Sequence, residues 1–200
     1  MSNYIFIFDL DSTITKSEIL PTISKKIGKE KEMQDLTERT MNGEIPFKNS
    51  FLNRVEILSN EKVSDISSLI EKIPLNKEIV KFIIENKERC YVLTGNLDVW
   101  IKKLMNKIGL ENHLYSSKAH VKNDYIENVI SVIDKELMIK QFVQPMVIIG
   151  DGDNDTGMAI HADISIGYGG VRNIAPSLLR NIDFAFYDDK RCADFLRTLL

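Results

Sequence analysis

The sequence contains few cysteines and no long apolar run. Its two cysteines, Cys90 and Cys192, lie far apart and outside any metal-ligand spacing. We therefore expect buried, unreactive thiols and no cysteine metal site, as is typical of a reducing compartment. The apolar run at residues 4–8 spans only five positions before an acid, which is too short for a signal-peptide core or a membrane span.

An excess of basic residues is also missing. The 200 residues include 26 Lys and Arg against 29 Asp and Glu, a net charge of −3, which argues against a nucleic-acid partner. With 44% hydrophobic and 28% charged residues, the composition is that of a globular chain. We therefore predict a cytoplasmic protein, monomeric or homodimeric, that binds neither nucleic acid nor a membrane.

Short apolar runs alternate with helical patterns along most of the chain. Runs of this kind, bounded by polar residues, are typical of strands buried on both faces of a parallel sheet. Between them, apolar residues recur at helical spacing, as from Ile101 to Ile108, where Gly109 closes the pattern. The alternation predicts an α/β fold with a mostly parallel sheet. Its strands are expected at residues 4–8, 90–93, 146–149, 164–166 and 184–186.

Residues 15–74 interrupt this alternation. They contain no strand-like run, and apolar residues such as Phe47, Phe51 and Val55 recur at helical spacing. An insertion of about sixty residues is too long for a simple loop, and long insertions commonly serve as lids or binding elements. We predict a helical cap over residues 15–74, inserted into a core formed by residues 1–14 and 75–200. A smaller excursion at residues 121–126 predicts a hairpin around Asn123-Asp124.

Three of the predicted strands end in polar clusters. The clusters are Asp9-Leu10-Asp11-Ser12-Thr13, Thr94-Gly95-Asn96 and Gly150-Asp151-Gly152-Asp153-Asn154-Asp155. Because the carboxyl ends of parallel strands face a common crevice, we expect the clusters to converge. Taken singly, each has a plainer interpretation, since an aspartate after a strand often forms a turn or caps a helix. The last cluster is also similar to part of an EF-hand loop, but its glycine comes too early and an apolar strand precedes it.

Taken together, the clusters predict phosphoryl chemistry. Several acids in one crevice require a neutralising cation, and Mg²⁺ is the hard cation that prefers one or two carboxylates. Asp9 and Asp151 suit that role. One carboxylate could attack a phosphoryl group, and a second acid two residues further on could transfer protons. Thr94 and the amides that follow it could hold the phosphoryl oxygens.

In residue types, order and spacing, these motifs resemble the haloacid dehalogenase superfamily of phosphohydrolases, and within it the phosphoserine phosphatases. The resemblance implies a Rossmann-like core with a helical cap inserted after the first motif. It implies Asp9 as nucleophile and Asp11 as general acid and base. Mg²⁺ would be held by the side chains of Asp9 and Asp151 and the backbone carbonyl of Asp11. Asp155 would lie behind these ligands, and Asn154 would face the phosphate.

The family also carries a catalytic lysine before the last core strand. Lys118, Lys135 and Lys140 all lie between the second and last motifs. Lys135 matches the family's placement, Lys140 is the alternative, and Lys118 is expected on the surface.

Residues of the predicted cap extend the resemblance to the substrate. In phosphoserine phosphatases a glutamate shortly after the first motif holds the substrate amine, and an arginine in the cap holds its carboxylate. Glu18 and Arg54 match these positions, and Phe47 would be the apolar residue that shuts the site. Thr94, Gly95 and Asn96 would bind the substrate with them. The plainer interpretation is that Glu18 and Arg54 are surface charges and that Phe47 is a core aromatic.

Two departures from the family pattern bear on the substrate. Asn96 stands where these phosphatases usually have a second glycine, and residues 166–172 differ from the family sequence. Either change is compatible with retained catalysis and an altered substrate. We predict a Mg²⁺-dependent phosphomonoester hydrolase that forms an aspartyl-phosphate, with O-phosphoserine or a similar small metabolite as substrate. The alternatives are a phosphatase or phosphotransferase for another small phosphometabolite and a phosphorylation-controlled binding module.

Overall fold

The first apolar run forms the centre of a parallel sheet. The computed structural model describes residues 3–41 and 44–200, and over these ranges the sheet has seven strands. In chain order they are β1 (Ile5–Phe8), β2 (Cys90–Leu97), β3 (Leu114–Lys122), β4 (Tyr125–Ser131), β5 (Met146–Gly150), β6 (Ile164–Tyr168) and β7 (Phe184–Phe186). Across the sheet their order is β4-β3-β2-β1-β5-β6-β7, and every neighbouring pair is parallel except β3 with β4.

The helices follow the strands as the alternation predicts. Within the described ranges they are α1 (Ile19–Lys26), α2 (Glu30–Met41), α3 (Phe47–Leu58), α4 (Val63–Ile70), α5 (Lys77–Glu85), α6 (Asp98–Ile108), α7 (Lys135–Ile139), α8 (Thr156–His161), α9 (Pro176–Leu179) and α10 (Asp189–Thr198). The predicted α/β fold with a mostly parallel sheet is confirmed.

Strand β1 is continuously apolar because both of its faces are buried. Phe6 and Phe8 lie in one apolar cluster, and Ile5 and Ile7 lie in another, as the two-residue period of a strand requires. The first cluster includes side chains of α5, α6 and α10, and the second includes side chains of α7, α8 and α9. Helices therefore cover both faces of the sheet.

Helices α1 to α4 occupy the interval between β1 and α5. Phe51, Leu58 and Ile66 of these helices share one continuous apolar cluster with Phe6 of the sheet. Helix α4 packs against α6, and its first amide, that of Val63, donates to the carbonyl of Asp124 in the β3–β4 turn at 2.8 Å. The region is helical where a helical cap is expected, while the cap boundaries at residues 15 and 74 stay predictions. Asn42 and Gly43, in the predicted cap segment, lie outside the described residues.

Several elements differ in extent from what their sequence patterns indicate, and β2, expected at residues 90–93, continues through Thr94-Gly95-Asn96 to Leu97. The hairpin around Asn123 and Asp124 extends from Lys118 to Ser131, while the earlier part of β3, residues 114–117, pairs in parallel with β2. Its turn residues have φ of 51° and 71°, a left-handed conformation that Asn and Asp tolerate better than most residues. Helix α7 ends at Ile139, although its apolar pattern continues to Val143. No helix in the described part of the chain is both long and apolar enough to cross a membrane.

Candidate active site

The three polar clusters lie side by side because β1 is flanked by β2 and β5. Phe8, the last residue of β1, is in register with Val92 on one side and with Ile149 on the other. The loops that follow these three strands therefore leave the same edge of the sheet. The amide of Asp9 donates to the carbonyl of Ile149 at 2.8 Å, which fixes the start of the first loop against the third strand.

A buried acidic cluster lies at this edge. Carboxylate oxygens of Asp9, Asp151 and Asp155 all lie within 4.8 Å of one another. Lys135 Nζ donates to Asp9 Oδ1 and, at 2.7 Å, to Asp155 Oδ1. Burial raises the pKa of Asp9, and the neighbouring acids add to this effect while Lys135 opposes it. Burial also lowers the pKa of Lys135, but Asp155 and Asp9 outweigh it and the net shift is upward. The lysine is therefore charged and neutralises part of the cluster.

Asp155 organises the loop after β5. Its Oδ2 accepts the amides of Asp151 at 3.0 Å and Gly152 at 2.9 Å, while its Oδ1 accepts from Lys135. A Cβ on Gly150 would lie 2.5 Å from Asp155 Oδ2, so only glycine permits this close approach. Both oxygens of Asp155 thus serve the loop and the lysine.

Asp9 and Asp151 are the residues best placed to hold a divalent cation. Both carboxylates are buried, and burial, together with Asp155, raises the pKa of Asp151 to about 7 against the opposing effect of Arg172. Buried carboxylates with raised pKa values are stabilised by a cation, and an all-oxygen donor set suits a hard one. The donor set present therefore fits the metal that the family implies.

Asp11 lies beside this cluster, and its carboxylate is held by two donors. Its Oδ1 accepts the Ile19 amide at 2.6 Å, and its Oδ2 accepts the Asn96 side-chain amide. Burial and the nearby Glu18 raise the pKa of Asp11 to about 6, while the two donors limit the rise. A carboxyl group with this pKa can both give and take a proton near neutral pH.

The second cluster, Thr94 to Asn96, connects the core to the helical region. Asn96 Nδ2 donates to Thr94 Oγ1 at 3.1 Å as well as to Asp11, so its side chain serves the acid. A Cβ on Gly95 would lie 2.9 Å from Cζ of Phe47. The Phe47 ring therefore lies directly over the Gly95 backbone, where a cover for the site is expected.

The other predicted cap residues are at least partly enclosed. Arg54 donates to Ser50 Oγ from Nε at 3.1 Å and from Nη2 at 2.9 Å. Burial lowers the pKa of Arg54, while the charges of Glu18 and Asp11 oppose this shift. The charges of both acids therefore favour the protonated guanidinium. Asn154, by contrast, is exposed on the turn before α8.

The three candidate lysines lie in different environments. Lys135 is buried in the acidic cluster, where its Nζ contacts two carboxylates. Lys140 is exposed and pairs with Glu136 at 2.8 Å, and Lys118 is exposed and pairs with Asp98 at 3.4 Å. Of the three, only Lys135 is placed to contact a group bound at Asp9.

Arg172 is a further residue of the site, and no sequence motif predicts a role for it. This side chain follows β6 and lies between two acids: its Nε donates to Asp151 Oδ2, and its Nη1 is 3.0 Å from Glu18 Oε1. Burial lowers the pKa of Arg172, but Glu18 and Asp151 outweigh it and the net shift is upward. The departure of residues 166–172 from the family pattern was the only signal, because no sequence spacing connects Arg172 to Glu18.

The fold and this cluster define an α/β enzyme whose buried carboxylates lie at the carboxyl edge of a parallel sheet. The sequence model for haloacid dehalogenase-like hydrolases matches residues 5–163. The chain therefore belongs to the haloacid dehalogenase-like hydrolase family, as its motifs predict.

Similar proteins carry the name phosphoserine phosphatase. The chain is 28% identical to the one from Archaeoglobus fulgidus, over 82% of this chain and 52% of that protein, so it spans about half of that relative's length. It is 26% identical to the one from Methanocaldococcus jannaschii, over 82% of this chain and 84% of the relative. A solved structure described as a phospho-aspartyl intermediate analogue of phosphoserine phosphatase superposes with a TM-score of 0.79 at 20% identity, covering all of both chains. The predicted similarity to phosphoserine phosphatases is confirmed.

Proposed function

We propose that the protein is a Mg²⁺-dependent phosphomonoester hydrolase that works through an aspartyl-phosphate. Its substrate is a small phosphorylated metabolite with a carboxylate, and O-phosphoserine is the first compound to test. The observation that carries the proposal is the contact of buried Asp9 with Lys135 beside Asp151, with Asp11 held nearby. The names of the relatives support the same chemistry.

In the first step, the Asp9 carboxylate attacks the phosphorus atom of the bound ester. A bond forms between a carboxylate oxygen and phosphorus while the bond from phosphorus to the ester oxygen breaks. Asp11, in its protonated form, gives its proton to the departing oxygen, so that the product leaves as a neutral alcohol. The pKa of about 6 for Asp11 keeps a useful fraction protonated near neutral pH.

In the second step, water attacks the phosphorus atom of the aspartyl-phosphate. Asp11 now takes the proton of that water, the acyl-phosphate bond breaks, and Asp9 is restored with release of inorganic phosphate. Lys135, through Nζ, and Thr94, through its hydroxyl, stabilise the phosphoryl oxygens in both steps. Mg²⁺, bound by the side chains of Asp9 and Asp151 and the Asp11 carbonyl, would supply further positive charge at the phosphoryl group.

The helical region over residues 15–74 is the proposed cap that closes over the leaving group. At the site it contacts the core through Phe47, which lies on Gly95. Arg54 offers a cation for a substrate carboxylate because guanidinium binds carboxylate with two parallel hydrogen bonds. Exclusion of water by such a cap strengthens every electrostatic interaction inside the site.

The proposal is tested by phosphate release in Mg²⁺ and in EDTA from O-phosphoserine, sugar phosphates, nucleotides and p-nitrophenyl phosphate. We expect Mg²⁺-dependent release, and we expect Asp9→Asn to lower kcat by at least about 10³-fold, because the nucleophile is removed. Asp65→Asn, an exposed aspartate on α4, is the matched control and should retain wild-type activity. Near-normal turnover by Asp9→Asn would exclude the mechanism.

The lifetime of the phosphoenzyme separates the proposal from its alternatives. A phosphatase should lose the phosphoryl group within seconds, whereas a phosphorylation-controlled binding module should retain it far longer. A phosphotransferase should show faster turnover when a second alcohol is added, with a phosphorylated alcohol as product. A stable phosphoenzyme would indicate a binding module, and a phosphorylated alcohol as product would indicate a phosphotransferase. Either result would exclude the hydrolase.

A further inference from the structure

We infer that Arg172 is a specificity-determining residue. Its ion pair with Glu18 makes the head-group site, formed by Glu18, Arg54 and Arg172, select an anionic phosphoester without an ammonium group. This inference rests on the proposed function and narrows its substrate class to phosphorylated hydroxycarboxylic acids. The residues concerned are Arg172, Glu18 and Arg54.

The first observation is the ion pair itself. Arg172 Nη1 lies 3.0 Å from Glu18 Oε1, and the two side chains are 34% and 31% exposed. A pair that is two-thirds buried is screened less than a surface pair. Glu18 is the acid expected to receive a substrate amine, and its charge is already matched by a residue of this chain.

The second observation is that the loop containing Arg172 is hydrogen-bonded to Asp151, at the carboxyl end of β5. The amide of Ala175 donates to the carbonyl of Asp151 at 2.9 Å, and Ile174 is buried in the apolar cluster that contains Ile148. Arg172 Nε also donates to Asp151 Oδ2. The backbone is therefore anchored two and three residues after Arg172, and the guanidinium itself is held by both Asp151 and Glu18.

The third observation is the charge balance of the head-group site. Glu18 is paired with Arg172, which also donates to Asp151, whereas the Arg54 guanidinium donates only to Ser50 among the described residues. The acid expected to receive an amine is thus already matched, while the Arg54 guanidinium forms no ion pair with a described acid and can accept an anion as partner. An arriving ammonium would have to displace the guanidinium from Glu18 or lie beside two cations, whereas a carboxylate meets two potential partners. Selectivity of this kind comes from the repulsive element as much as from the attractive one.

The test compares three phosphoesters with the same three-carbon carboxylate skeleton. O-Phospho-L-serine carries an ammonium at the second carbon, 3-phosphoglycerate carries a hydroxyl there, and 3-phosphonooxypropanoate carries only hydrogen. In wild-type enzyme with saturating Mg²⁺ we expect kcat/KM for the two amine-free esters to exceed that for phosphoserine by about tenfold or more, as loss of one partly buried ion pair implies. A ratio taken within one enzyme cancels any effect on the metal or on the chemical step.

Variants assign the preference to Arg172. Arg172→Gln frees Glu18 and should shift the ratio toward phosphoserine by about tenfold, and Arg172→Lys, which keeps the charge, should preserve the wild-type order. Arg180→Gln, an exposed arginine in the same segment, is the matched control and should leave the ratio unchanged. The Kd values of the three esters for Asp9→Asn protein, measured by calorimetry in Mg²⁺, should follow the same order without turnover.

The outcomes separate this inference from the proposed function. Hydrolysis with phosphoserine preferred by wild type, or a ratio that Arg172→Gln does not change, would overturn the role of Arg172 and leave the phosphatase intact. If no ester, including p-nitrophenyl phosphate, releases phosphate with Mg²⁺, the proposed function fails and the inference fails with it. The wild-type ratio is decisive even if the Arg172 variants do not fold.

Discussion

At the scale of single residues, the site depends on one buried cation among acids. Lys135 Nζ contacts Asp9 and Asp155 where all three side chains are almost fully buried. The net value of such a pair is small, because desolvation offsets the attraction, but removal of one partner leaves an uncompensated buried charge. Lys135 therefore contributes to stability as well as to the proposed chemistry.

We expect Lys135→Met to lower the free energy of unfolding in EDTA by about 3–5 kcal/mol, the range for breaking a buried ion pair. Urea denaturation monitored by circular dichroism measures this change. Lys140→Met is the matched control, because Lys140 is exposed and its pair with Glu136 is worth at most about 0.5 kcal/mol. Phosphatase activity should fall in the first variant and persist in the second. If Lys140→Met lost more stability and more phosphatase activity than Lys135→Met, Lys140 would be the catalytic lysine.

Residues that lie at the end of a strand could be predicted from the sequence. Residues whose contacts depend on the path of a loop and on the length of a side chain could not. Asp9, Thr94 and Asp151 each come directly after or at the end of an apolar strand, so their convergence follows from parallel topology. The contact of Arg172 with Glu18 depends on how a loop turns back over the sheet edge and on the length of a flexible side chain. Neither is encoded in a local pattern. The amide of Asn96, likewise, proved to donate to Asp11, a contact that spacing alone does not indicate.

At the scale of elements, helix α3 provides the contact between the helical region and the segment Thr94 to Asn96 of β2. Phe47, its first residue, is stacked on Phe51 with ring centroids 6.1 Å apart and lies over Gly95. The apolar spacing of α3 predicted a helix here, and the position of Phe47 at its beginning places the ring at the site. The length of α7 was not predicted, because Leu137 and Val143 are apolar in sequence yet exposed in the structure.

Gly95→Ala tests this contact. The new Cβ would lie 2.9 Å from the Phe47 ring, so the ring must move and the cap should close less completely. We expect KM for the preferred phosphoester to rise by roughly threefold to tenfold, a cost of about 1 kcal/mol as for modest overpacking, with a smaller effect on kcat.

The double variant Gly95→Ala/Phe47→Leu provides the control for that prediction, because a smaller side chain should relieve the contact. If the two substitutions acted independently, their free-energy effects on KM would add. We expect less than this sum, so that KM of the double variant lies close to that of Phe47→Leu alone. Strictly additive effects would show that Phe47 and Gly95 do not interact in the closed enzyme.

At the scale of the whole molecule, the buried carboxylates of Asp9, Asp11 and Asp151 make stability depend on pH, and the proposed metal would add a dependence on Mg²⁺. The folded-state pKa values of Asp11, about 6, and Asp151, about 7, lie above the ordinary 3.8, and that of Asp9 is also raised. Between pH 4 and 7 the folded protein therefore binds more protons than the unfolded chain, and stability falls as pH rises through this window. Exposed acids with lowered pKa values, such as Asp124 and Asp194, act in the opposite direction but only near pH 4 and below.

We therefore expect the free energy of unfolding in EDTA to be lower at pH 8 than at pH 5.5, as measured by urea denaturation at constant ionic strength. Mg²⁺ at about 100 times its Kd should restore about 2.7 kcal/mol at pH 8 and much less at pH 5.5, where protons compete for the same carboxylates. Asp151→Asn removes a carboxyl group with a raised pKa that is also a proposed metal ligand. It should therefore reduce both the pH dependence of the free energy of unfolding and the stabilisation by Mg²⁺. Stability that rises from pH 5.5 to 8 in EDTA, or a Mg²⁺ effect that survives Asp151→Asn in full, would contradict the assignment of these carboxylates as one coupled proton and metal site.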